Sequence, residues 1–394
     1  MKHTLNKNVR ALGVVSLLND ASSDMLYPLI PLFLTKVLGA SIPFVGLIEG
    51  VAHSTASIVK LFSGWLSDKL GKRKSLTVIG YGLSMLSKPL LAFATAPWHV
   101  LLIRFSDRFG KGIRQAPRDA LIAESTPKDI LGYAFGFHKM MDTVGATIGP
   151  LLALILLPVL DGNLRTLFLL SFVASFFALV TLIIFVKEPP RVPHTPTELP
   201  KLSWKILPPR YRFFLVAIGV FAVANSSDAF LFLRAADVGV PTMLIPLLYA
   251  LSNAVFALLA TPFGKLADRV SPDIIIRSGF LVFALAYAGF ALFATPLTMW
   301  LLFPLIGVFS AMTESLQKTI NVQITDPRLR GTMLGLMHTI TGIGQLPASI
   351  IAGLLWGRVG AASSFLFGAG LAIVAALILE RCFSPGNKKP EASA

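Results

Sequence analysis

The sequence predicts an all-α integral membrane protein: twelve transmembrane helices, arranged as two pseudo-symmetric six-helix bundles. Three observations carry this. The 394 residues are 54% hydrophobic and only 14% charged, with a mean hydropathy of +0.72, whereas a soluble domain is about a quarter charged. Windows of roughly 20 apolar residues recur along the whole length, the signature of spanning helices. Short segments also return at an offset near 200 residues.

The elements follow in chain order. Lys2, Lys7 and Arg10 precede the first apolar run. That run holds Asn19, Asp20 and Asp24 and continues too far to be a signal-peptide core, so it is taken as the first span. The twelve spans are expected at 10–36, 44–64, 75–95, 98–122, 132–158, 165–186, 212–234, 243–263, 275–295, 298–323, 332–356 and 363–381. Most connections are short. The exception is "KEPPRVPHTPTELPKLSWKILPPR", which starts at Lys187. Proline-rich polar sequence cannot continue a helix. The chain therefore divides into a bundle at 1–186, a linker at 187–211 and a second bundle with a short tail at 212–394.

Charge sets the orientation. With the N-terminus inside, cytoplasmic segments hold roughly twenty Lys and Arg and outer segments about four, which places both termini and the linker in the cytoplasm. Much of the net charge of +15 is then loop charge that sets topology rather than a nucleic-acid surface. The single cysteine, Cys382, rules out an internal disulfide and carries no metal or redox signal.

The halves match in detail. "NDASSD" from Asn19 recurs as "NSSD" from Asn225. "GWLSDKLGKRK" from Gly64 recurs as "GKLADRVSPD" from Gly264. "GYAFGFH" from Gly132 recurs as "GTMLGLMH" from Gly331. Tandem six-span repeats of parallel topology are the internal symmetry of one large transporter class.

On these residues the chain resembles the major facilitator superfamily, in its proton-coupled, drug-antiporter-like branch. Gly64, Asp68, Gly71, Lys72, Arg73 and Lys74 fit that family's loop 2–3 motif, G-x-L-x-D-x-x-G-R/K-R/K, at every defining position. The glycines allow a tight turn, and Asp68 can cap or bridge to a neighbouring helix end. Gly145, Gly149 and Pro150 resemble the start of the span-five motif of proton-coupled drug antiporters, but Leu151 and Leu152 stand where further glycines belong. The plainer reading of these residues is close helix packing. Either Arg104 or Arg108 can hold the family's span-four arginine position.

Span four has its own signature. Arg104, Asp107, Arg108, Lys111, Arg114, Arg118 and Asp119 fall within sixteen residues. At about 100° per residue, all seven occupy about 140° of a helix circumference. Phe105, Phe109, Ile113, Ala116 and Ala120 take the other side. This is a helix with one wet face. Each such charge at the bilayer centre costs about 2.5–3.5 kcal/mol unless it lines water or pairs with a carboxylate. The resemblance implies a cavity lined by spans 1, 4, 7 and 10, and the polar residues agree: Asn19, Asp20, Asp24 and Tyr27; Arg104, Arg108 and Lys111; Asn225 and Asp228; Glu314, Gln317, Lys318 and Asn321. Asp24 and Asp20 lie one turn apart. Two close carboxylates resist joint ionisation, which suits a proton carrier. Arg114, Arg118 and Asp119 are expected to form a charge network towards the cytoplasmic end.

Glu49, His53 and Lys60 share a face of span two, with Glu49 expected near the outer mouth. His138 and Asp142 are one turn apart in span five, His338 and Gln345 lie in span eleven, and Lys88 precedes Pro89. No tight ligand spacing makes these a metal site. Gly110-Lys111-Gly112 lacks the spacing of a phosphate loop, and no nucleophile, base and metal set converges, so the chain is not expected to be an enzyme and no cofactor is implied. The expected function is a secondary transporter working by alternating access. Its first form is proton-coupled export of an anionic or chelating organic compound or drug. The alternatives are proton-coupled uptake of an organic anion or metal chelate, and a non-transporting membrane sensor. The expected partners are a small-molecule solute, protons and the lipid bilayer, with no nucleic acid. The expected state is a monomer, in a bacterial inner membrane.

Overall fold

The computed structural model describes residues 5–70, 72–127, 130–188, 207, 209–267, 269–324 and 330–383. The described residues are helical with short connections and no strand. The N-terminal half comprises α1 (Lys7–Leu26), α2 (Ile30–Leu32) running into a π-helical turn (Phe33–Val37), α3 (Ile42–Leu70), α4 (Arg73–Ala92), α5 (Pro97–Glu124), α6 (Leu131–Val159) and α7 (Leu164–Phe185). The C-terminal half comprises α8 (Pro209–Ala224), α9 (Ala229–Asp237), α10 (Ile245–Ala267), α11 (Pro272–Leu292), α12 (Met299–Gln323), α13 (Arg330–Arg358) and α14 (Ala361–Phe383). Among the described residues, nine helical stretches are long and apolar enough to cross a membrane. The three expected spans outside that set are the charge-rich ones built on α1, α4 and α5.

Two expected spans are not continuous helices. The first breaks at Tyr27–Leu29, where Pro28 withholds a backbone donor. The seventh breaks at Asn225–Asp228, where short polar side chains compete for the backbone; Ser227 Oγ accepts from the Ala229 amide at 3.3 Å. α8 starts at Pro209; most of the linker lies outside the described residues. Both halves start their first helix with the same device: Arg10 Nε donates to the Leu5 carbonyl at 3.0 Å, and Arg212 Nε to the Leu207 carbonyl at 2.8 Å.

Lipid tails are as apolar as leucine, so burial alone does not hold helices together in a membrane; close packing does. α1 packs on α6 and α7, α4 on α5 and α7, and α3 on α5. In the other half α10 packs on α12, and α11 on α12 and α14. A Cβ at Gly145 would meet the Leu17 carbonyl of α1, and one at Gly149 the Ala21 carbonyl. Gly80 and Gly110 bring α4 and α5 together in the same way. The C-terminal half adds aromatic packing, with Phe221 stacked on Phe280 at 4.0 Å between ring centroids.

The halves meet along α3 with α13, α6 with α10, and α2 with α9. One end of the molecule carries Lys7, Lys72, Arg73, Lys74 and Lys187 and is called the basic end. At the opposite, far end, α3 and α13 touch backbone to backbone: Gly46 lies against the Ser349 carbonyl and Gly353 against Pro43. Lys36 Nζ donates to Thr242 Oγ1 at 3.1 Å across the same end.

Candidate functional site

Three cavities adjoin in the middle of the molecule. The first belongs to the N-terminal half and is lined by Asp20, Asp24, Tyr27, Lys88, Arg104, Asp107, Arg108, Lys111 and Arg114. The second belongs to the C-terminal half and is lined by Asn225, Asp228, Tyr249 and Asn253 among Phe232, Phe283, Tyr287, Phe303 and Phe309. A vestibule borders both. It shares Asp20, Lys111 and Arg114 with the first chamber, and Ser252, Asn253 and Ser310 with the second. Tyr27 and Tyr249 stand where the chambers adjoin, 5.5 Å apart between ring centroids. Tyr249 Oη donates to Asp24 Oδ1 at 3.4 Å.

The charged face of α5 is one continuous helix that runs through Pro117 to Glu124, and each charge on it has a different setting. Arg104 is 4% exposed and Glu49 1%. Arg104 Nη2 donates to both Glu49 carboxylate oxygens, at 2.8 and 2.9 Å. Glu49 also accepts from Ser227 Oγ of the opposite half at 3.2 Å, and His53 Nε2 lies 3.6 Å away. Glu49 is therefore not at an outer mouth but the buried partner of a cavity arginine, tied to both halves. Arg108 has Asp107 Oδ2 3.7 Å from its Nε and the Tyr27 ring 6.0 Å from its Cζ. Arg114 turns out of the expected cytoplasmic network. It donates to Ser84 Oγ at 2.6 Å and sits 4.3 Å over the Tyr81 ring, which binds α5 to α4. Arg118 pairs with its own neighbour, Asp119 Oδ1, at 3.0 Å.

The other expected site residues divide. Asn19 is buried, and its amide donates to Asp20 Oδ1 at 3.0 Å. Asn225 and Asp228 line the second chamber and Glu314 the vestibule. Gln317 and Lys318 are not among the lining residues of these cavities. Asn321 is a correction: it is fully buried, and its amide donates to Tyr211 Oη at 3.1 Å and the Met333 carbonyl at 3.2 Å. It joins α8, α12 and α13, because a buried amide must find partners wherever the packing offers them. Lys88 is buried and donates to Ser175 Oγ, which donates to Ser22 Oγ at 2.8 Å. His138 and Asp142 lie 3.7 Å apart, and Asp142 accepts from Ser16 Oγ. They are a cluster separate from His53.

In the loop 2–3 motif, Gly64 lies beside Ala116 of α5 and Lys72 is the exposed residue just before α4. Gly71 and the side chain of Asp68 lie outside the described residues. Arg73 Nη2 meets Glu124 Oε1 at 2.8 Å. Glu188 caps α4, accepting from the Arg73 and Lys74 amides at 2.8 and 2.9 Å. A carboxylate at a helix N-terminus is favourable, but nothing local to α4 in the sequence points to a residue that far along the chain. Tyr249, Asn253 and the phenylalanines of the second chamber are the other residues that sequence reasoning did not place, and Glu49 was placed at the outer mouth rather than against Arg104. An intramembrane carboxylate is a signal for Glu49. The phenylalanines are indistinguishable from lipid-facing ones until the helices are assembled.

Comparison with known proteins agrees with this architecture. The family model of the Major Facilitator Superfamily matches residues 12–344. An uncharacterised MFS-type transporter of Methanocaldococcus jannaschii is 36% identical over 381 residues, covering 95% of this chain and 94% of the relative. The multidrug resistance protein MdtG of Proteus mirabilis is 26% identical over 373 residues, 90% of each chain. Among solved structures, a bacterial homologue of the human lysosomal transporter Spinster superposes with a TM-score of 0.76 at 17% identity, covering 95% of this chain and 96% of that one. A POT family transporter in complex with 5-aminolevulinic acid gives 0.80 at 14%, covering 98% and 97%. The helical architecture, with nine membrane-long apolar stretches among the described residues, and this extended sequence match lead to one conclusion: the chain belongs to the Major Facilitator Superfamily, a family of multi-pass membrane transporters of small solutes.

Proposed function

We propose that this transporter is a proton-coupled exporter of a small organic solute that carries an anionic or chelating group. The observation that carries the reading is the first chamber, where Asp20 and Asp24 face Arg108 and Lys111 across a cavity. An anionic solute is favoured there by arginine, and the carboxylates offer places for a proton. Solute and proton then compete for one charge network. Export, the direction chosen, draws support from the printed name of the Proteus relative. Uptake of an organic anion uses the same groups with the gradient reversed.

The basic end is assigned to the cytoplasm by its lysines and arginines. The cavity then opens inward. Glu314 and Lys318 are exposed in the inward half of α12. The far end is shut by Gly46 and Gly353 against the facing backbone, and by Lys36 on Thr242. Alternating access requires these far-end contacts to break while the basic end closes. Purified monomer in proteoliposomes with an internal pH dye, screened against organic anions, cations and chelates, tests the reading. The expected result is solute-triggered proton flux that Asp24→Asn abolishes. Flux at the wild-type level in Asp24→Asn sinks the assignment of the proton to Asp24.

A further inference from the structure

The two chambers differ in chemistry, and the difference names a solute. The first chamber, with Glu49 counted as the partner of Arg104, holds one more cation than carboxylate. The second holds a single carboxylate, Asp228, and no cation, within a ring of aromatic side chains. A carboxylate framed by aromatic faces suits an organic ammonium group, which draws on both the charge and the ring quadrupoles. An arginine and a lysine on the other side suit a carboxylate or phosphate. The site is thus a dipole, positive in one half of the molecule and negative in the other.

Both chambers also hold donors with capacity to spare. In the first, the buried Nε atoms of Arg104, Arg108 and Arg114 make no hydrogen bond, and that of Arg108 has only Asp107 Oδ2, 3.7 Å away. In the second, the Asn253 amide stands beside the Tyr249 hydroxyl. A ligand's oxygen can accept from such groups. Asn253 lines the vestibule as well as its own chamber. Between the two stands the 3.4 Å contact from Tyr249 to Asp24. It is a long bond, and a bound group can replace it at little cost.

We infer that the site takes an aromatic zwitterion: its anionic group against Arg108 and Lys111, its ring among Phe232, Tyr249 and Phe309, and its ammonium group towards Asp228. This rests on the transporter reading above and narrows its solute class. A lone lipophilic cation or a lone anion satisfies one chamber and leaves the other charge desolvated and unanswered.

The test uses a matched series on the purified full chain. The probes are para-(aminomethyl)benzoate, its methyl ester, its N-acetyl derivative and the cyclohexane analogue. Binding is read by thermal shift in detergent, and transport by counterflow in proteoliposomes. The zwitterion is expected to bind at least tenfold more tightly than the ester or the N-acetyl anion, and several-fold more tightly than the cyclohexane analogue. Asp228→Asn is expected to erase the preference for the zwitterion over the N-acetyl anion while leaving the anion's own binding in place. Equal binding of zwitterion and anion to the wild type overturns the inference, as does binding of none of the four. So does an equal loss for both probes in Asp228→Asn. The wild-type series decides even if that variant does not fold. Zwitterion-selective binding without counterflow keeps the site and sinks the transporter reading, so the two failures are distinguishable.

Discussion

The buried pair of Arg104 and Glu49 shows what a single charge costs in a membrane. Both side chains are buried, and each is tolerated because the other is 2.8 Å away. Removing one partner leaves an uncompensated buried charge, at a cost of about 3–5 kcal/mol. Glu49→Gln is therefore expected to lower the melting temperature in detergent markedly. Arg104→Gln together with Glu49→Gln is expected to recover a large part of the loss. If the single variant melts like the wild type, the pair is not what compensates the charge. Arg114 teaches the complementary lesson. On the sequence it belongs with Arg118 and Asp119, but a 2.6 Å bond to Ser84 and the face of Tyr81 take it to α4.

At the scale of elements, small residues set how near helices come. Gly149 of α6 leaves room for the α1 backbone at Ala21 and Met25. A larger side chain there must push two helices apart, because the obstacle is backbone and cannot rotate away. Gly149→Val is expected to destabilise the protein by roughly 1–3 kcal/mol. Gly136→Ala on the same helix, where a Cβ meets open space, is expected to change little. Thermal unfolding of the two variants side by side checks this, and equal effects would falsify the packing account. The breaks in the first and seventh spans belong to the same scale. A helix interrupted beside a cavity frees backbone and polar side chains to face it, and both breaks put such residues at chamber walls: Tyr27 in one half, Asn225 and Asp228 in the other.

For the molecule as a whole, the bond from Ser227 to Glu49 links the halves at the depth of the cavity. It is made in the arrangement in which the far end is closed. A hydrogen bond to a charged group contributes about 1.5–3 kcal/mol. Ser227→Ala is expected to shift the equilibrium towards the far-end-open state about tenfold, by the lower end of that range. Spin labels at Phe93→Cys and Leu297→Cys, in a Cys382→Ser background, report the separation of the two halves at that end. Both positions are exposed. An unchanged distance distribution in Ser227→Ala means the bond does not hold the closed state.

What the sequence by itself determined is the class of solvent and the plan of the molecule. Long apolar stretches need lipid, a proline-rich segment needs water, and the recurrence of "NDASSD" as "NSSD" and of the Gly64 turn as the Gly264 turn divides the chain in two. The wet face of α5 was legible for the same reason: helical spacing is local, and arithmetic along the chain recovers it. Which charges pair was not legible. Glu49 with Arg104, Glu188 with the start of α4, and Asn321 with Tyr211 join residues 55, 115 and 110 positions apart. Contacts across such separations depend on which helix faces which, and only the tertiary structure decides that. The second chamber was hidden for a related reason. Phenylalanine is equally at home against lipid and around a ligand, and assembly alone sorted Phe232, Phe303 and Phe309 to the inside.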